Sequence, residues 1–132
     1  MPAPLGKTPT KRMPDIQMFG MDDSRDTRAA QRYFRERRIV VSYVDLTKRR
    51  IAPAELRRFV DRLGAAALLD NTSRAYRDAG LGYMRMADAE IVERLLADVH
   101  LLRLPLVRHG NEVTAGPAVT TWAAWLRSAA GP

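Results

Sequence analysis

The 132-residue chain contains no cysteine. That absence removes disulfides, thiolate metal ligands and thiol-based mechanisms from the sequence as it stands. Aromatics are few, with three Phe, two Trp and four Tyr, and none interleaves with basic residues in the kind of stripe that stacks single-stranded bases. There is no run of the about 20 apolar residues that a membrane helix requires and no apolar leader. A cytoplasmic address is therefore expected, with no membrane as a partner. No internal repeat is present, and no cofactor signature is read.

Arginine is what the chain has in excess. Lys and Arg together number 22 against 15 acidic residues, for a net charge of +7. Arg25, Arg28, Arg32, Arg35, Arg37 and Arg38 fall around one predicted helix, and Lys48, Arg49, Arg50, Arg57, Arg58 and Arg62 follow in the next segment. Such a surface is either a solvated basic face or one that meets an acidic protein or a nucleic acid.

The length fits one domain. Residues 1–14 hold four of the eight prolines with Lys7, Lys11 and Arg12, and read as a disordered basic tail ahead of a folded unit over 15–132. Asp15 to Phe19 is read as a strand. From Asp26 the period becomes helical, with Ala30, Tyr33, Phe34 and Arg37 on one face. Ile39 to Asp45 is rich in β-branched and aromatic residues and reads as a second strand, completing a β-α-β unit.

Pro53 marks a helix start, and Leu56, Phe59, Val60 and Leu63 form its apolar stripe before Gly64. Asn71 or Thr72 is the expected cap of a short helix ending at Gly80. Asp88 to Val99 gives a further helix, with Ile91, Val92, Leu95, Leu96 and Val99 inward. Leu104 to Arg108 and Glu112 to Ala115 flank His109-Gly110-Asn111, a hairpin signal. A last helix from about Thr120 carries Trp122, Trp125 and Leu126 on one face. The order is β-α-β, a helical insertion, then β-β-α. An α/β fold with a mixed sheet follows, and the thioredoxin-like plan is its compact solution.

The candidate site is the first βα loop, within Phe19 to Arg28 (FGMDDSRDTR). Backbone N–H groups near Arg25, Asp26, Thr27 and Arg28 are available to an oxyanion at the helix N-terminus. Asp22, Asp23 and Asp26 surround the same spot and can cap those donors instead, and Ser24 can be a plain N-cap. As a nucleophile Ser24 needs a base, and the chain offers only His100 and His109, with no G-x-S-x-G elbow. The three aspartates lack the spacing and glycine of an EF-hand, so no metal site is assigned. Arg74 and Arg103 are the candidate cations to complete an anion pocket. Pro105 opens an apolar strand; it either takes a cis bond beside the site or begins an edge strand.

Taken in order, these segments resemble the ArsC-like family of arsenate reductases, Spx regulators that bind RNA polymerase, and their relatives. The likeness spans roughly Ile16 to Leu126. It rests on Phe19-Gly20-Met21-Asp22-Asp23-Ser24, Tyr43-Val44-Asp45-Leu46, Ala54-Glu55-Leu56, Asn71-Thr72, Tyr76-Arg77-Asp78-Ala79-Gly80-Leu81 and Leu101-Leu102-Arg103-Leu104-Pro105-Leu106-Val107. The resemblance implies a thioredoxin fold and puts Ser24 in the slot of the reactive Cys. Thr27 falls where CxxC members carry their second Cys, and Leu104 replaces the arginine that precedes the family's cis-proline. The FG-loop-DTR start and the L-P-L-V strand are also similar to a subgroup in which Cys or selenocysteine fills the reactive slot.

Two functional expectations follow from the resemblance. One is a noncatalytic binding or regulatory module. The other is a thiol or selenol oxidoreductase of arsenate-reductase type, represented by a Ser form.

Overall fold

The computed structural model describes residues 15–130. The expected basic tail, 1–14, lies outside the described residues, as do 131 and 132. Strand β1 (Ile16–Gly20) leads into helix α1 (Arg25–Glu36) and strand β2 (Val41–Asp45). Helices α2 (Pro53–Leu63), α3 (Arg74–Asp78) and α4 (Asp88–Ala97) follow, linked by 3₁₀ turns, and then β3 (Leu106–His109), β4 (Glu112–Ala115) and α5 (Val119–Ala130). The sheet order is β2-β1-β3-β4, with β1 and β2 parallel and the β1–β3 and β3–β4 pairs antiparallel. This is the expected mixed sheet, with the insertion between its two halves.

Side chains alternate across the strands and so build two apolar layers. Ile16, Met18 and Val107 pack with Ala30 and Phe34 of α1 and with Trp122 and Trp125 of α5. Phe19 and Leu106 pack on the other face with Leu56 and Phe59 of α2 and with Ile91 and Leu95 of α4. Phe19 and Phe59 meet edge to face, with ring centroids 5.9 Å apart. The arginine clusters of α1 and α2 consequently lie on opposite faces of the sheet and cannot act as one surface. Arg37, expected on the inward face of α1, is exposed, with its Cζ over the Tyr33 ring 3.7 Å from the centroid.

Several boundaries differ from expectation for local reasons. Strand β2 begins at Val41 rather than Ile39 because α1 ends in a Schellman turn: Arg38 takes φ 60°, its N–H reaches the Arg35 carbonyl, and the Ile39 N–H reaches that of Phe34. Helix α3 is capped by Ser73, whose Oγ accepts from the Tyr76 N–H at 3.1 Å, and not by Asn71 or Thr72. Thr72 is already bonded to Asp70 through both its N–H and its hydroxyl. The hairpin loop is two residues, since His109 pairs with Glu112. Gly110 supplies the positive φ, 60°, at the first loop position, where such turns call for glycine.

An L-residue in the left-handed region costs about 1–2 kcal/mol, and glycine is the usual occupant of this helix-ending position. Arg38→Gly is expected to raise stability by about 1 kcal/mol after the added entropy of the unfolded chain is subtracted. The urea midpoint should rise at unchanged slope, and a lower midpoint would contradict the strain.

Candidate functional site

At the carboxyl end of β1 the chain turns through Met21, Asp22 and Asp23 into α1. The Ser24 N–H closes the turn on the Met21 carbonyl at 3.0 Å. Ser24 is the N-cap, with φ −82° and ψ 121°, and its Oγ accepts from the Thr27 N–H at 3.1 Å. Its carbonyl accepts from the Arg28 N–H at 3.0 Å. A helix start leaves its first four N–H groups without intrahelical partners. With the cap satisfying Thr27, the amides of Arg25 and Asp26 remain as donors, and the Ser24 hydroxyl proton is a third. The 12-residue helix adds its dipole at the same point.

The wall behind this turn is made by Thr27 and Gly20. Thr27 is fully buried, and its Oγ1 has no hydrogen-bond partner among the described residues. A Cβ on Gly20 would meet Thr27 Cγ2 at 2.5 Å and Oγ1 at 2.7 Å, so only glycine lets the first turn of α1 pack on the end of β1. Gly20→Ala is expected to cost about 1–3 kcal/mol, in the range of overpacked interiors. The melting temperature should fall by several degrees, with much of the loss recovered in combination with Thr27→Ala. An unchanged melting temperature would contradict the close approach.

Asp22 is tethered from outside. Its Oδ1 accepts from the Tyr43 hydroxyl at 2.9 Å, and its carbonyl accepts from Arg28 Nη1 at 2.9 Å. Burial first, and then the bond to Asp22, push the Tyr43 phenol well above the ordinary tyrosine range, so it stays a neutral donor. Sequence reasoning missed Tyr43 as a site residue. Its only signal was an aromatic with a polar tip, one strand away in the parallel pair.

The remaining candidates are dispersed. Arg25 and Asp26 are exposed on the first turn. Arg74 is exposed and pairs with Asp78 on its own helix at 3.6 Å. Arg103 is exposed and runs across Gly116, its Cγ and Cδ standing 3.0 Å from where a Cβ would be. No bond links either arginine to the Ser24 turn among the described residues. The Leu104–Pro105 peptide is cis. Pro105 is buried at the entrance to β3, an interior strand, so it does not begin an edge. Leu104 is buried in the α2–α4 core layer and contributes no polar group.

Neither histidine serves as a base for Ser24. His109 pairs with Ile16 at the opposite end of β1, and its ring lies 5.5 Å from that of Trp125 at a tilt of 38°. His100 bonds Asp98 at 3.1 Å on a separate turn. The turn presents three hydrogen-bond donors, and neither histidine is placed beside the Ser24 hydroxyl.

Against family models, residues 19–124 match that described as the ArsC family. The chain belongs to the ArsC family. Solved structures agree on the thioredoxin-like fold of this ArsC member. The YFFB protein superposes with a TM-score of 0.78 at 19% identity, covering 84% of this chain and 98% of that one. An arsenate reductase from Vibrio cholerae gives 0.69 at 14% identity, over 79% and 91% of the two chains. An arsenate reductase (ArsC) related protein from Brucella melitensis gives 0.66 at 16% identity, over 89% and 97%. Identities this low establish the fold alone. No curated protein matches the chain. Among the described residues no helix is long and apolar enough to cross a membrane.

Proposed function

We propose that this ArsC-family chain is a noncatalytic module that binds an oxyanion, or an anionic group of a partner, at the first βα loop. One observation carries the reading: the Ser24 hydroxyl, in the family's reactive slot, is engaged as a helix cap, with no base beside it. Capping leaves the Arg25 and Asp26 amides and the Ser24 proton as donors, an arrangement suited to holding an anion in place. A regulatory role of the Spx kind would add an acidic protein or nucleic acid on an arginine-bearing helix.

Titration with arsenate or sulfate tests the binding. Amide resonances of Ser24 to Arg28 are expected to shift saturably and their exchange to slow. Unchanged amides at high anion concentration would dismiss the reading.

A second reading is favoured by family membership combined with the position of Ser24: the chain is the serine form of a thiol or selenol oxidoreductase. Serine keeps the geometry of such a loop and stops its redox chemistry, because its hydroxyl does not ionise near neutrality. Assaying Ser24→Cys for thiol-dependent arsenate reduction separates the two readings: turnover favours the oxidoreductase, and a thiol without turnover favours the noncatalytic module.

A further inference from the structure

We propose a phosphate-binding cleft formed by Arg58, Arg62 and Arg108 at the end of the sheet opposite the Ser24 turn. Arg58 and Arg62 stand one turn apart on α2 and so share a face. Arg108 lies on β3 opposite Gln17 of β1, on the side of the sheet that α2 covers. Two adjoining clefts, of about 260 Å³ and about 300 Å³, are both lined by Arg58 and Arg108, and Arg62 lines the second.

Arg108 sets this cleft apart from a solvated basic surface. It is half-buried and oriented, with Nε directed to Gln17 Oε1 at 3.4 Å and Nη1 to the Gly110 carbonyl at 2.9 Å. Its Nη2 takes no protein acceptor among the described residues. Arg58 and Arg62 form no ion pair among the described residues either. The nearest potential competitor, Glu55, is bound through both oxygens by Arg49 at 2.9 Å and also accepts the Ala52 N–H. Glu55 lines the first cleft and Asp61 the second. With Glu55 paired to Arg49, the three arginines outnumber the remaining acid, Asp61, and leave the lining net positive.

Guanidinium forks match phosphate oxygens in pairs. Two adjoining clefts with shared arginines suit a row of phosphates better than a single one. No aromatic ring is exposed in the lining, since Phe19 and Phe59 are its buried floor, so recognition is of phosphate rather than of a base. The ligand is a free di- or triphosphate group or the phosphodiester backbone of a nucleic acid. The inference does not depend on the Ser24 loop.

The test is titration of the full chain at low salt with inorganic tripolyphosphate and, separately, with a short single-stranded DNA. The wild type is compared with Arg58→Gln/Arg62→Gln and with the charge-matched control Arg32→Gln/Arg35→Gln on α1. Tripolyphosphate should shift the amides of α2 and the β3–β4 hairpin. The α2 pair should weaken it by about tenfold or more, as expected for losing charge-assisted bonds, and the control by less than about twofold on the same scale.

DNA that competes with tripolyphosphate and weakens with the same pair identifies the backbone as the source. Tripolyphosphate binding without DNA binding identifies a free phosphate ligand. Equal losses in both double variants, or no binding of either probe at the cleft, would overturn the proposal. Shifts confined to Ser24 to Arg28 would likewise overturn it while leaving the loop reading standing.

Discussion

Trp122→Ala is expected to cost about 3–5 kcal/mol, the range for truncating a large buried aromatic. Trp122 is 1% exposed and lies where α5 closes over the sheet. Its ring centroid is 5.3 Å from that of Phe34 and 5.7 Å from that of Tyr33, so removing it opens a cavity between α5 and α1. Its Nε1 donates to Thr114 Oγ1 at 2.9 Å, tying α5 to β4 inside an otherwise apolar layer. Truncation also leaves the Thr114 hydroxyl buried without that partner, and an unsatisfied buried polar group costs about 1–3 kcal/mol.

For a domain whose total stability is about 5–15 kcal/mol, the loss is a large fraction of the whole. Urea unfolding followed by far-ultraviolet circular dichroism checks it. Trp122→Phe should fall between wild type and alanine, keeping most of the volume while dropping the hydrogen bond. A loss below about 1 kcal/mol for alanine would contradict the packing, because even partial cavity collapse in a core leaves more than that.

The fold was legible where a residue's local chemistry and its tertiary role coincide. Pro53 opens α2, Leu56 and Phe59 are its fully buried positions, and Gly64 ends it at φ 85°. Trp122 and Trp125 likewise sit inward as their spacing required. The β-α-β, insertion, β-β-α order led to the right sheet because few topologies join such elements with short, right-handed connections. Boundaries slipped where a residue has two uses. Arg38 has no preference for a left-handed conformation, so the Schellman turn it completes could not be seen, and Ile39 read as strand. Thr72 is a sound cap by type, but Asp70 captures it first and leaves the role to Ser73.

The candidate site was legible in part. Ser24 as an N-cap follows from residue type and position alone. The pair that sets the loop's shape, Gly20 against Thr27, joins residues seven apart through a strand end and a helix turn, and nothing in their identities announces the contact. The Tyr43–Asp22 bond spans 21 residues and depends on parallel register. Arg74 and Arg103 were chosen for charge, which says nothing about reach. Arg74 is held by its own helix, and Arg103 is drawn across Gly116. The α2 arginines were legible as part of a basic face, but the part Arg108 plays beside them was not: Arg58 and Arg108 are far apart in sequence and line the same clefts only because β3 runs antiparallel beside β1.

The second large effect expected is chemical. Ser24→Cys should place a thiol at the N-cap of α1 with its sulfur in reach of the Thr27 N–H, where the dipole and the Arg25 and Asp26 amides all favour the thiolate. Asp22, the nearest of the three acids in sequence to β1, is held by the Tyr43 hydroxyl at its Oδ1. Helix N-termini lower cysteine pKa values from about 8.5 into the range of about 3.5–7.5. Because the chain has no other cysteine, every thiol signal from the variant reports position 24.

The central claim is that the backbone of the Ser24 turn stabilises negative charge at the N-terminus of α1. The most direct measurement is the pH dependence of alkylation of Ser24→Cys in the folded protein. The account predicts a thiol pKa at or below about 7.5. A value at or above about 8.5, that of a free cysteine, would contradict it.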